Sequence, residues 1–219
     1  MNIKQLAFWF PILLSVIILS FDCQSNDYDD PTFVKQFRIH NYLISDIVDT
    51  LNKAELMKKK NEEGWMELIK SIMPRFRELD WASQKDYLPL LYATEEARAH
   101  YIMEDYDEAL KILDVNVQDY LKELDEHYPD AKVSGEEIGA KVRFLHGRVY
   151  LSIAKKTDDK DIAKKSYLSA FNIFKVITEK YKDYIYIKEV NEMLLECKKR
   201  LDTEKPTSPP SSDKNEEKK

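Results

Sequence analysis

The sequence predicts an all-α protein built from antiparallel helix hairpins. Glycine is rare, with 4 among 219 residues, so the chain has few of the tight turns that join strands. Apolar residues recur at steps of three or four along most of the chain, which is the period of an amphipathic helix. No stretch combines alternating polarity with the β-branched residues and turn residues typical of strands.

Composition narrows the class of protein further. Charged residues make up 34% of the chain, both signs are mixed, and the formal net charge is −6. A nucleic-acid-binding protein usually carries a basic excess, so we expect no nucleic-acid partner. The 4 histidines and 2 cysteines do not follow a metal-ligand spacing. We therefore predict neither a metal nor a cofactor.

An apolar segment opens the chain and has the layout of an export signal. Lys4 precedes a charge-free run from Leu6 to Phe21, and Cys23 follows it. As a helix this run would rise about 24 Å, less than the roughly 30 Å of a bilayer's hydrocarbon core. The segment therefore favours export over a membrane-spanning helix.

The cysteine at this boundary resembles that of bacterial lipoprotein signals, in which the cysteine is acylated and becomes the mature N-terminus. The resemblance implies a signal peptide at 1–22, a lipid anchor on Cys23 and a location in the cell envelope. Gln24 follows the cysteine, and similarity to enteric lipoproteins then favours the outer membrane over the inner one. Two other interpretations stay open: an uncleaved membrane anchor, or a secretory signal in which Cys23 has no role.

The first two helices are marked by apolar stripes. One stripe runs from Phe33 to Ala54, after a start at Pro31 and Thr32. The other follows Gly64 and runs from 65 to 79. Pro74 lies inside the second stripe, where we expect a kink or a break.

Five more helices follow, predicted over 84–103, 105–128, 135–156, 161–182 and 185–201. Their short connections favour antiparallel pairing. The proline, serine and charged residues after Asp202 predict a disordered tail. The chain thus divides into a signal peptide (1–22), a linker (23–32), a helical domain (33–202) and a tail (203–219).

Two helix pairs resemble tetratricopeptide (TPR) repeats. In the first, Ala97 occupies the small position of helix A, Tyr106 the turn aromatic and Ala109 the small position of helix B. In the second, Gly147 and Tyr150 occupy the helix A positions, and Ala170 lies on helix B. The small residues let two helix backbones approach closely. A generic helical bundle is the alternative.

The TPR resemblance implies a right-handed α-solenoid whose A helices line a concave face that binds a protein or peptide. Family positions on that face fall on Thr94, Arg98, Tyr101, Lys141, Phe144 and Arg148. The two arginines occupy equivalent places and are suited to an acidic or C-terminal peptide. Alternatively, each arginine pairs with a neighbouring glutamate and each aromatic belongs to the core.

The chain lacks the phosphate loop, zinc-protease motif and nucleophile elbow of common enzymes, so we expect no enzyme activity. Carboxylates such as Glu95 and Glu96 are expected on solvated faces. The chain looks like barrel-assembly lipoproteins and spirochaetal TPR lipoproteins, which implies a scaffold that holds another envelope protein. A carrier that encloses a small solute or lipid is the second hypothesis, and it calls for an enclosed apolar pocket.

Overall fold

The computed structural model describes residues 31–78, 88–127, 132–133 and 136–203. The expected signal peptide, Cys23 and residues 204–219 of the expected tail lie outside these residues. Thr203, expected in the tail, and residues 31 and 32, expected in the linker, are helical. Eight α-helices occur in the described chain: α1 (Pro31–Lys59), α2 (Trp65–Glu78), α3 (Leu88–Ile102), α4 (Tyr106–Lys111), α5 (Gln118–His127), α6 (Ile138–Lys156), α7 (Lys160–Lys180) and α8 (Ile187–Thr203). The predicted helical class is confirmed. None of these helices has both the length and the apolar character that crossing a bilayer requires.

The helices differ from the sequence-based expectation at three places. The helix expected over 105–128 is split, because a π-helical turn (Ile112–Asn116) separates α4 from α5. Two short strands, β1 (Lys132–Val133) and β2 (Glu136–Glu137), pair antiparallel just before α6. Pro74 does not break α2, which continues through it to Glu78.

Two pairs of consecutive helices, α1–α2 and α6–α7, form antiparallel hairpins. Arg75 of α2 pairs with Asp46 of α1, while the loop end of the same hairpin brings Met57 against Gly64. Gly64 has a φ of 86°, a conformation that glycine adopts without strain. The two helices of the α6–α7 hairpin pack closely, since a Cβ added at Gly147 would lie 2.4 Å from the Phe174 ring. Gly147 therefore sets the distance between α6 and α7.

Alternate helices α1, α3, α6 and α8 run parallel, and we call them the A row. Side-chain contacts between α1 and α3 join residues 43 to 46 positions apart, and this offset hardly changes along the pair. A nearly constant offset requires that the two helices point the same way. Between α3 and α6 the paired positions rise together, at 95 with 141 and 101 with 152, and position 104 just after α3 pairs with 156. Between α6 and α8 the offset is 41 positions twice, because Lys155 donates to Glu196 and the charge of Glu189 acts on Arg148.

The apolar core has two parts that share one helix. The first lies among α1 to α6, and Val142 and Val149 are two of its α6 members. The second lies among α6, α7 and α8, and Phe144 and Leu151 are two of its α6 members. Because α6 has apolar residues on both sides, it joins the two cores into one continuous interior.

Candidate interaction surface

Charged side chains from three A-row helices meet on one face. Glu55 comes from α1, Glu95 and Arg98 from α3, and Lys141 and Arg148 from α6. Lys59 of α1 joins them at the rim, 3.3 Å from Glu55. We call these six residues the arginine cluster. They become neighbours because the parallel helices lie side by side.

Glu55 is the central carboxylate of the arginine cluster. Its Oε2 accepts a hydrogen bond of 2.7 Å from Arg98, and its Oε1 accepts one of 3.2 Å from Arg148. Burial raises the pKa of Glu55, but the hydrogen bond and charge of Arg98 and the charges of Arg148 and Lys59 outweigh burial and lower it to about 2. Glu55 is therefore ionised at neutral pH and holds both guanidinium groups.

Glu95 is buried, contrary to the solvated face expected from the sequence. Its side chain is only 1% exposed. Lys141 Nζ lies 2.7 Å from Oε1, as an ion pair without regular hydrogen-bond angles, and Arg98 donates to Oε2 at 3.4 Å. The two cations compensate the desolvated charge of Glu95, because a buried carboxylate without them would be costly.

Arg148 lies against aromatic rings. Its Cζ is 4.8 Å from the centre of the Tyr101 ring and 5.5 Å from that of Phe144. Both distances fall within the range of cation–π attraction. Phe144 also stacks on Tyr186, which lies between α7 and α8, at 5.5 Å and an interplanar angle of 8°. The rings hold the guanidinium in place while its edge still reaches Glu55.

Five of the six face residues predicted from the sequence come together here: Arg98, Tyr101, Lys141, Phe144 and Arg148. Thr94 does not join them. It is buried, and its hydroxyl donates to the Leu90 carbonyl at 2.6 Å within α3. Each arginine also pairs with a glutamate, and Phe144 is buried, as the alternative reading of these residues expected.

Sequence reasoning missed Glu55 and Tyr186. Glu55 is one of many polar residues in α1. The sequence around it gives no sign that its partners lie 43 and 93 positions away. The aromatic residues at Tyr184 and Tyr186 could have indicated this cluster of rings, because alternate positions in a connecting segment can point to the same side.

The arginine cluster carries more positive than negative charge. Four cations lie within ion-pair distance of two carboxylates, in a chain whose formal net charge is −6. A third carboxylate, Glu189 of α8, also acts on Arg148 through its charge. The side chains of Arg98, Arg148 and Lys141 remain 17%, 21% and 24% exposed, so each of them still reaches the protein surface. Partly desolvated guanidinium groups bind carboxylates more strongly than fully hydrated ones.

A cleft lies elsewhere, among α5, α6 and α7. It has a volume of about 440 Å³, opens to solvent and has charged walls. At its base Asp125 accepts hydrogen bonds from Arg143 at 2.5 Å and from Lys180 at 3.1 Å. These contacts tie the three helices together.

His146 and Asp114 form a further pair, between α6 and the π-helical turn. His146 Nε2 lies 2.8 Å from Asp114 Oδ1, and the His146 ring stacks on Tyr150. In the residues that the structure describes, no group of three or more histidine, cysteine or acidic side chains is arranged to hold a metal ion.

Comparisons with protein-family models, with curated proteins and with solved structures find no match for this chain.

Proposed function

We propose that this protein is a scaffold that binds an acidic segment of another protein on the arginine cluster. The observation that carries the proposal is the excess of cations there, held by parallel helices and only partly screened from solvent. Arg148 uses one of its guanidinium N–H groups on Glu55 among the described residues, which leaves donors for a partner's carboxylate.

We also propose a TPR-like arrangement of the helices, which would suit a binding role. TPR-type arrays alternate antiparallel hairpins with a parallel row of A helices, and the contacts of α1, α3 and α6 follow that order. The small residues of the resemblance, Ala97, Ala109 and Gly147, are all buried. Such arrays present one extended face to a partner and have no need of a catalytic centre.

The N-terminal sequence supports a location at the cell envelope. We propose that the segment 1–22 is removed and that Cys23 is acylated. Each buried methylene of an acyl chain contributes about 0.8 kcal/mol, so two or three chains would hold the helical domain at a membrane surface. The partner would then be an envelope protein engaged in assembly or transport.

The carrier hypothesis has less support. It calls for an enclosed apolar pocket, whereas the cleft among α5, α6 and α7 is open and lined by charged side chains such as Arg143 and Lys180.

Peptide binding by the full chain in detergent tests this proposal. The probe is a fluorescent peptide with three glutamates in a glycine–serine background, and the reference is the same peptide with glutamines. We expect the glutamate peptide to bind more tightly, and Arg148→Ala to weaken it about tenfold, as loss of one charge-assisted hydrogen bond would.

Arg75→Ala is the matched control, since Arg75 also pairs with a carboxylate, Asp46, but lies on α2 outside the arginine cluster. This variant should bind the glutamate peptide as the unmodified chain does. Equal binding of the glutamine peptide, or an equal loss in both arginine variants, would contradict the proposal.

A further inference from the structure

Three aromatic rings pack together beside the arginine cluster, where the α7–α8 connection passes α6. Phe144 stacks on Tyr186, and Tyr184 meets both rings edge-on, at 5.9 Å from Phe144 and 5.6 Å from Tyr186. Phe144 and Tyr184 are 7% and 1% exposed. Tyr186 is 44% exposed, and Ile185 next to it is 62% exposed.

The buried rings fix the exposed one. Tyr186 has a parallel ring against one face and an edge-on ring beside it, so its orientation is set before any ligand binds. A side chain that is already ordered loses little conformational entropy when a partner covers it. Tyr186 therefore presents an ordered aromatic surface. The exposed Ile185 precedes it in the chain, and we call these two residues the Tyr186 subsite.

The Tyr186 subsite is next to the cation that the proposed function assigns to a partner's carboxylate. Arg148 Cζ and the Tyr186 ring centre each lie 5.5 Å from the centre of the Phe144 ring. The guanidinium and the exposed ring are thus separated by at most twice that distance. In an extended peptide, side chains on one side recur every second residue, about 6.6 Å apart.

We propose that the Tyr186 subsite takes an aromatic side chain located two positions from the carboxylate that binds Arg148. The occupant is an extended segment of another protein, in which an acidic and an aromatic residue alternate with a spacer. Charge selects it, since four cations outnumber the two carboxylates of the cluster and the nearby Glu189. The exposed Tyr186 ring accepts the partner's aromatic side chain. This inference rests on the proposed function and specifies its partner.

Matched peptides test the spacing. One set places phenylalanine two residues from a glutamate, on either side. The second set has alanine instead of phenylalanine, and the third places phenylalanine six residues away. With the full chain in detergent, we expect the two-residue phenylalanine peptide of the better order to bind at least fivefold more tightly than both of the others.

Variants of the Tyr186 subsite then show which residues cause the gain in affinity from phenylalanine. Tyr186→Ala should remove the gain from phenylalanine and leave the affinity for the alanine peptide unchanged, and Ile185→Ser should reduce the gain. Tyr120→Ala is the control, because Tyr120 is 38% exposed but lies on α5. Helical circular dichroism checks that each variant is folded.

The outcomes separate this inference from the proposed function. If the alanine peptide binds and phenylalanine adds nothing, or if the gain survives Tyr186→Ala, the Tyr186 subsite is wrong while the scaffold proposal stands. If no glutamate peptide binds the unmodified chain, both proposals are wrong.

Discussion

Glu55 is the single residue on which the arginine cluster depends most. It accepts hydrogen bonds from Arg98 of α3 and Arg148 of α6, although it belongs to α1. Its side chain is 16% exposed, so water does little to replace these partners. Removing its charge would leave the partly desolvated Arg148 without its hydrogen-bonded carboxylate and Arg98 with Glu95 alone, which is costly.

Glu55→Gln should lower the free energy of unfolding at pH 7 by about 1–3 kcal/mol. The pKa of Glu55 lies at about 2, below its usual 4.5, so its ionised form stabilises the folded protein above pH 4.5. That stabilisation is lost as the pH falls from 4.5 through 2. Urea unfolding across this range should therefore show a smaller pH dependence for Glu55→Gln than for the unmodified chain.

Glu104→Gln is the matched control for this prediction. Lys156 and Lys58 lower the pKa of Glu104 to about 2 as well, but its side chain is 47% exposed. Solvent screens exposed pairs, so this substitution should cost less than about 1 kcal/mol at pH 7. Equal losses in the two variants would show that the Glu55 pairs are no stronger than surface ion pairs.

Only some residues of the arginine cluster are predictable from the sequence. Arg98 and Arg148 were identified because the TPR resemblance gives them equivalent positions. Glu55 and Glu95 were not, because the period of a helix gives the face of a residue and not the partner across from it. Glu95 is buried beside Lys141, which reaches it from α6, and Arg98, which pairs with it one turn along α3.

At the scale of elements, α6 is the helix that joins the molecule. It contributes Val142 and Val149 to one core and Phe144 and Leu151 to the other, and Lys141 and Arg148 to the arginine cluster. Its contact with α7 is set by Gly147, where no side chain separates the helix from Phe174.

Gly147→Ala should destabilise the protein by about 1–2 kcal/mol. Its new Cβ would lie 2.4 Å to 2.9 Å from three atoms of the Phe174 ring, and such overpacking typically costs 1–3 kcal/mol. The better helix propensity of alanine offsets up to about 1 kcal/mol of this cost. Urea unfolding of the single variant measures the difference.

A double-mutant cycle tests whether the loss of stability in Gly147→Ala comes from contact with the Phe174 ring. Phe174→Leu gives the new methyl group room, so the combined variant should be more stable than the sum of the two single losses predicts. Strictly additive losses would mean that Gly147 is needed for another reason.

The elements themselves were largely predictable from the sequence, and the exceptions have local causes. The small positions Ala97, Ala109 and Gly147 are buried, as close helix packing requires. The π-helical turn at Ile112–Asn116 was not foreseen, because one extra residue in a turn leaves the apolar residues around it close to helical spacing. The strands at 132–137 are too short for any pattern of alternation.

At the scale of the whole molecule, stacking brings distant residues onto one face. Contacts between α1 and α3 span 43 to 46 positions, and the Glu55–Arg148 contact spans 93. A single helix or hairpin would not contain the arginine cluster. The proposed binding function therefore belongs to the parallel A row and requires α1, α3 and α6 together.

Photocrosslinking of an acidic peptide tests this claim most directly. A benzophenone placed beside the glutamates of the probe would react with whichever helices it contacts, and mass spectrometry of the digested full chain would locate the adducts. We expect adducts within 48–59, 94–102 and 141–152, that is, on α1, α3 and α6, and we expect an excess of unlabelled glutamate peptide to suppress them. Adducts concentrated on α2, α5 or α7, or spread evenly over the helices, would contradict a binding face formed by the A row.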